Sequence, residues 1–320
     1  MKRITAYAPA SIGNVSLGFD VLGAALAPVD GSKIGDEVEI KSTSGPELFN
    51  LSVAGEFADK LPSNPRRNIV FQCYRRFIQS VQNNKINETP IHFTLKKNLP
   101  IGSGLGSSAS SIVAALTALN AYFDNPLSEN QLLTMMGEME GEISGSIHYD
   151  NVAPSFLGGI TLMTGLKDKV AVKLPVISEW YWVICYAGIV VSTAAARKIL
   201  PTSFSMQDTI TFGRQLAVFV EALHAQDAKL ASSVIHDVIA EPHRKRLLPG
   251  FDEVKKGCIS LGASAFGISG SGPTVFAVCE SLPLAQQVEK LLAQRYIQTD
   301  KGFTKICTIE EHGTTVSGKL

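Results

Sequence analysis

The sequence lacks a charge excess of either sign. Lys+Arg and Asp+Glu each number 29, and charged residues make up only 18% of the 320. Nucleic-acid proteins normally carry a basic excess and electrostatically held membrane proteins a basic patch, so neither class is expected. No apolar run reaches about 18 residues, so no membrane-spanning helix is predicted. Lys2-Arg3 is followed by Ile4-Thr5-Ala6-Tyr7-Ala8-Pro9 and not by the apolar stretch of a signal peptide. Cysteine is scarce and scattered: Cys73, Cys185, Cys258, Cys279 and Cys307 form an odd set with no CxxC. That is neither a disulfide framework nor a zinc site, and it reads as structural thiols in a reducing cytoplasm. The histidines are dispersed with no HExxH, and no internal repeat is present.

Apolar residues, in contrast, make up 45% of the chain. A chain this long and this apolar buries a large core and holds, at about 150 residues per domain, two domains or one large one. Residues 37–41 and 91–96 alternate at period two, as half-buried strands do. Asn68 can cap a helix that carries Val70, Cys73, Phe77 and Val81 on one face. Residues 112–122 are apolar on nearly all sides and predict a buried helix, broken by Asn125-Pro126. Ser128-x-x-Gln131 is a capping box that opens the next helix. After a strand at 159–163, a second half begins near Gly165. It reads as strand 181–186, helices 207–223 and 227–239, helix 252–261, strands 263–268 and 274–279, helix 283–295 and strand 303–309. From the strand at 181 onward this is the β-α-β-β-α-β order of ferredoxin-like folds. The expectation is an α+β chain of two domains, 1–165 and 166–320.

Between the strand at 91 and the buried helix lies Pro100-Ile101-Gly102-Ser103-Gly104-Leu105-Gly106-Ser107-Ser108-Ala109-Ser110. Glycine at every second position lets backbone approach a ligand with no Cβ in the way. The unpaired N–H groups of the helix start favour an anion, and the serine hydroxyls can meet a phosphate or a magnesium ion. A glycine-rich turn with serine caps is the plainer alternative; the strand before and the apolar helix after favour a phosphate site. No lysine completes a Walker A motif. The dinucleotide fingerprint fails as well, because Asp124, at the right distance, lies in a turn between helices and not at a strand end.

At about 100° per residue, Glu140 falls between Leu133 and Met136 on the apolar face of its helix, whereas Glu138 falls on the wet side. A carboxylate facing a core needs a partner. A magnesium ion, a salt bridge to a core arginine and a cleft at the helix end all satisfy that need. The segment from Gly145 to Pro154 groups His148, Tyr149, Asp150 and Asn151 in a short loop that suits the rim of an active site, or a turn built on Asp-Asn. Gly267-Ile268-Ser269-Gly270-Ser271-Gly272-Pro273 is a second small-residue loop, either a hairpin connection or another wall of the same cleft.

Pro9-Ala10-Ser11 with Asn14 and Gly18-Phe19-Asp20, the loop 100–110, and the loop 267–273 resemble, in that order, the three motifs of the GHMP kinases. Within that family the chain is most similar to the bacterial homoserine kinases, through segments 15–24, 100–109, 145–154 and 238–250. The resemblance implies a two-domain fold with a nucleotide-binding β-α-β unit and a ferredoxin-like unit. ATP would bind at Pro100 to Ser110, with Asn68 near the base, and Mg2+ would be held by Ser108 and Glu140. Asn14, Asp20, Arg197 and Arg244 would hold homoserine, an acceptor for its ammonium and planar donors for its carboxylate. His148, Thr193, Gly270 and Ser271 are expected beside it, although Thr193 can equally cap a helix. Asn151 would contact the hydroxyl. Asp150 sits where mevalonate kinases carry an aspartate proposed as base. Partners are then the two small molecules, with no nucleic acid and no membrane, and a homodimer is allowed. The family usually has Ser-Ala where this chain has Ile12-Gly13, a change expected to loosen the turn that aims Asn14. The rival readings are another GHMP kinase such as a mevalonate type, a dinucleotide-binding oxidoreductase, and a non-catalytic binder on the same fold.

Overall fold

The computed structural model describes residues 2–44, 46–81 and 89–319. In chain order its elements are β1 (Arg3–Pro9), β2 (Ser11–Gly13), β3 (Leu22–Pro28), β4 (Gly35–Ser42), β5 (Phe49–Ala54), α1 (Ile69–Val81), β6 (Ile91–Lys96), α2 (Ser107–Tyr122), α3 (Glu129–Ser144), α4 (Val152–Leu157), β7 (Ile160–Met163) and β8 (Ala171–Leu174). They continue with β9 (Tyr181–Tyr186), α5 (Thr193–Lys198), α6 (Met206–His224), α7 (Ala228–Ser233), α8 (Glu241–Arg244), α9 (Phe251–Leu261), β10 (Ala265–Ile268), β11 (Val275–Cys279), α10 (Leu282–Arg295), β12 (Phe303–Ile309) and β13 (Thr315–Lys319).

One sheet has the order β13-β1-β4-β6-β5, with β5 parallel to β6 and the other neighbours antiparallel. Its period-two pattern is real: Ile91, Phe93 and Leu95 are fully buried while His92, Thr94 and Lys96 are not. The buried face meets Val70, Cys73 and Phe77 of α1 and the nearly all-apolar α2. α1 starts as expected, with Asn68 Oδ1 accepting from the Val70 amide at 3.0 Å. The capping box at Ser128 forms with both of its hydrogen bonds. The second sheet runs β10-β11-β9-β12-β3-β7-β8, with β2 on β3. Its stretch β10-β11-β9-β12 has the strand neighbours of a ferredoxin-like unit, with α9 and α10 packed on Val183, Cys185, Val275 and Ala277. The mixed sheets with helices packed on them meet the α+β expectation.

Strands cross residue 165 in both sheets. β13 pairs with β1, and β12 pairs with β3. A third body of core lies on the other face of the second sheet, where Ile12, Leu22 and Leu105 pack with Trp182, Phe276 and Phe219 of α6. The helix expected at 227–239 is shorter, ending at Ser233. Beyond it, the Asp237 carboxylate accepts from the amides of Ile239 and Ala240 at 2.7 Å and Glu241 at 2.9 Å. A side chain that takes those amides competes with helix hydrogen bonds and caps α8 instead.

Candidate active site

The loop after β6 descends into α2 through three glycines with positive φ, at Gly102, Gly104 and Gly106. Gly104 shows why no other residue fits. At φ +80° its Cβ would lie 2.5 Å from the Ser269 carbonyl oxygen and 2.8 Å from that of Gly272. The first glycine loop is therefore seated on the second. Ser269 Oγ donates to Gly104 O at 2.6 Å, and the Thr274 amide donates to Ser103 O at 3.1 Å. The Gly270 amide in turn donates to Gly13 O at 3.0 Å, and the Val191 amide to Gly102 O at 3.1 Å. Segments distant in sequence thus meet around one cleft of about 700 Å3.

The cleft wall carries Gly102, Ser103, Gly104, Gly106, Ser107 and Ser108 from the first loop and Gly270 and Ser271 from the second. Leu105, Ala109 and Ser110 turn away into the core, and Ser110 Oγ spends itself between the Asp36 amide and Ala8 O. Pro100 is buried and Ile101 stands at the exposed rim. Asn68 lies 1% exposed beneath the wall as a helix cap, while Leu61, Pro62, Arg67, Ile69 and Gln72 beside it face the cleft.

Ser108, on the first turn of α2, donates to Glu140 Oε1 at 2.7 Å. The helical angle of Glu140 thus points it into the cleft, and burial pushes its carboxyl above the usual range, against the charge of Lys97. Glu138 faces outward and pairs with Arg76 at 2.6 Å. A hydroxyl and a carboxylate are hard oxygen donors of the kind Mg2+ takes, with its remaining positions left to phosphate and water. They fit the ion that the resemblance implies.

Beneath this pair lies a group the sequence reading missed. Lys97 is buried, paired with the equally buried Asp36, and donates to Ser107 O at 2.7 Å and Ser111 Oγ at 3.0 Å. Asp36 also accepts the amides of Asn98 at 2.9 Å and Leu99 at 3.1 Å. The signal was present: Ile91, Phe93 and Leu95 point inward, so the next inward position of that strand is 97.

At the other end, Asp20 accepts two bonds from Arg197 Nη2, at 2.7 and 2.8 Å, and lies 3.5 Å from His148 Nδ1. Arg244, only 3% exposed, donates to Ala196 O at 3.2 Å and to Gly270 O at 2.8 Å. Both guanidinium carbons sit 5.2–5.3 Å from the centre of the Phe19 ring, which orients them as cation–π partners. The Gly18-Phe19-Asp20 motif by itself does not mark the Phe19 ring for this role. Burial, and the two arginines, hold His148 below the usual histidine range against the pull of Asp20. Asn14 does not hang loose: its Oδ1 accepts from the Asp20 amide at 2.9 Å and its Nδ2 donates to Gly270 O at 3.2 Å. Asn14, Val15 and Ser16 all have positive φ, a strained turn for a β-branched residue. The cap of α5 is Ser192 and not Thr193, which faces the cleft with Oγ1 3.5 Å from Ser271 Oγ.

Between the two ends, Asp150 and Asn151 stand at the start of α4. Asn151 Oδ1 accepts from Ser11 Oγ at 2.9 Å, and its Nδ2 donates to Asp150 Oδ2 at 3.3 Å. Burial, joined by the charges of Asp20 and Glu140, pushes the Asp150 carboxyl up to about 7.

Known proteins share this fold. Residues 68–159 match the GHMP kinases N terminal domain and residues 219–298 the GHMP kinases C terminal domain. A homoserine kinase from Cytophaga hutchinsonii is 33% identical, with a TM-score of 0.88 over 98% of this chain and 97% of that one. A Listeria monocytogenes protein proposed to be a homoserine kinase is 21% identical, with a TM-score of 0.71 over 99% of each chain. L. major mevalonate kinase, solved with R-mevalonate, shares the fold at 15% identity, with a TM-score of 0.67 over 95% of each chain. Both domains in order, and a full-length likeness that reaches into the cleft-forming loops, make this chain a member of the GHMP kinase family.

Proposed function

We propose that the protein transfers the γ-phosphoryl group of ATP to the side-chain hydroxyl of L-homoserine, giving O-phospho-L-homoserine for threonine biosynthesis. A GHMP kinase is a phosphotransferase that uses ATP; what singles out the acceptor is the Arg197–Asp20 pair with Arg244 beside it. These groups offer a carboxylate next to two guanidiniums, the charge complement of an α-amino acid zwitterion. The substrate ammonium would take Asp20, and its carboxylate would take the arginines. Mevalonate brings a carboxylate but no cation for Asp20.

The nucleotide phosphates would lie on the backbone of the first glycine loop and the amide end of α2, with the base toward Leu61, Pro62 and Ile69. Mg2+ held by Ser108 and Glu140 would neutralise phosphate charge. Asn151 would hold the acceptor hydroxyl in line. As its oxygen bonds the γ-phosphorus, the bridge to the β-phosphate breaks and ADP leaves. Asp150 stands ready to take the hydroxyl proton. Phosphoryl transfer passes through a loose transition state, so positioning and charge carry most of the catalysis. Five buried free thiols suit a reducing cytoplasm. A coupled ADP-release assay over homoserine, mevalonate, galactose and shikimate tests the reading. Turnover is expected with homoserine, and a preference for mevalonate would overturn the assignment.

A further inference from the structure

We propose that the buried Lys97–Asp36 pair is a clasp that closes the first glycine loop before nucleotide arrives, which makes Lys97 and Asp36 positioning residues for ATP. The proposal rests on the reading above only in laying the ATP phosphates on that loop.

Stability alone does not account for the pair. Lys97 is 2% exposed and Asp36 0%. Taking two charges out of water is costly, and an ion pair this deep adds little over apolar side chains of the same volume. Lys97 borders the cleft, and the loop after it has no lysine of its own. Yet Lys97 is not set to bind phosphate. An ammonium has three N–H donors, and here they go to Asp36 Oδ2, to Ser107 O at 2.7 Å and to Ser111 Oγ at 3.0 Å. With Asp36 beside it, the unit offers an anion no net charge.

What these bonds join is the two ends of the loop. At its entry, Asp36 Oδ1 accepts from the amides of Asn98 at 2.9 Å and Leu99 at 3.1 Å. At its exit, Lys97 holds the first carbonyl of α2 and, one turn on, Ser111, whose hydroxyl donates to Asp36 Oδ2 at 2.5 Å. Ser107 Oγ then donates across the gap to Leu99 O at 3.1 Å. Residues 98–106 are thus a ring drawn shut at one point. The ring contains Gly102, Gly104 and Gly106 at positive φ, and glycine loses more freedom on ordering than any other residue. The seat of Gly104 on the second loop holds the middle. The clasp holds the end from which α2 presents its first amides and Ser108, the partner of Glu140. A nucleotide that meets amides already in place does not have to order them itself.

The test exchanges both members at once, Asp36→Asn with Lys97→Met. The exchange strands neither charge and keeps an acceptor for the amides of Asn98 and Leu99. ADP binding, with and without Mg2+, is measured by calorimetry beside thermal melts and amide hydrogen exchange. The folded double variant should bind ADP on the order of 10- to 100-fold more weakly, because the nucleotide now has to order the loop. KM for ATP should rise in step, while KM for homoserine stays within about threefold. Backbone exchange over 98–111 should be faster than in the wild type without ADP, and should return toward it when ADP is saturating. Wild-type ADP affinity in a folded double variant would overturn the proposal. So would a loss shared equally by ADP and homoserine, which marks general damage. If the double variant does not fold, Ser111→Ala decides. It strands no charge, removes one of the ammonium's bonds at the loop exit, and should weaken ADP binding by about 3- to 10-fold; unchanged affinity there would overturn the proposal. A wild type that binds no ADP would refute the nucleotide reading itself, and the ADP comparison decides this proposal whichever alcohol the wild type prefers.

Discussion

Asp150 is a carboxyl that the fold keeps from water and surrounds with negative charge, and its acidity should be visible in stability. Below pH about 4 the group is protonated whether the chain is folded or not. From there to about 7 the unfolded chain gives up the proton that the folded chain retains, so stability falls as pH rises, and the full penalty is present above about 7. A shift of roughly three units sets its ceiling at about 4 kcal/mol. Asp150→Asn removes the penalty. It should raise the melting temperature at pH 8, leave it nearly unchanged at pH 4, and lower activity. An equal change at both pH values, in paired thermal melts, would count against the account. At this scale much of the site was legible: Ser108, Glu140, Asn151, Arg197 and Arg244 all line the cleft. The arginines were legible only through resemblance, since sequence alone cannot tell a guanidinium over Phe19 from a solvated one. Gly13 is expected to loosen the Asn14 turn; in the structure the Asn14 amide is tied at both ends, and a Cβ at residue 13 would meet Asp150 and Asn151. That contact joins residues 13 and 150, and no local pattern encodes it.

Periodicity was the most reliable guide at the scale of single elements. The alternation of β6 carries past its end to Lys97, and the wheel of α3 separates Glu140 from Glu138. Glu140→Ala should abolish turnover by removing an oxygen donor from the metal position. Glu138→Ala loses a half-exposed ion pair and should cost at most about 1 kcal/mol, with activity intact. Equal effects in an activity and stability comparison would contradict the assigned faces. The Lys97–Asp36 pair ties the end of β6 to the start of α2 under the phosphate loop. Asp36→Ala leaves a buried ammonium without its partner, and should destabilise the protein by about 3–5 kcal/mol in denaturant titration. A loss under about 1 kcal/mol would mean that water or the Ser107 carbonyl suffices. Where periodicity failed, at 234–239, the cause was a side chain: the Asp237 carboxylate takes amides that a helix would have used.

The whole molecule is interlaced more deeply than a chain read from end to end suggests. We keep 1–165 and 166–320 as a proposed division, since the two family matches fall on either side of it. The strands nonetheless cross it twice, and the core on the α6 face of the second sheet draws on both parts. β1, β3, β12 and β13 each lack a partner strand if the parts are separated, and open edges of that kind pair with whatever is near. Fragments 1–165 and 166–320 made separately should therefore aggregate or show no cooperative melt, and should regain ATP-dependent turnover only when made together. A cooperative melt from either fragment alone would refute this. Strand order across the division lay beyond the sequence, because pairing depends on contacts hundreds of residues apart.

The central claim is that the cleft recognises a zwitterion by the opposed charges of Asp20 and the arginine pair. The most direct measurement is kcat/KM for L-homoserine against two analogues that each lack one charge: its carboxamide, and 4-hydroxybutyrate, which has no ammonium. A hydrogen bond to a charged group contributes about 1.5–3 kcal/mol, so each analogue should lose on the order of 10- to 100-fold. Arg197→Lys should depress the value for homoserine and change the carboxamide value little further. If 4-hydroxybutyrate is used as well as homoserine, Asp20 does not read an ammonium and the zwitterion account is wrong.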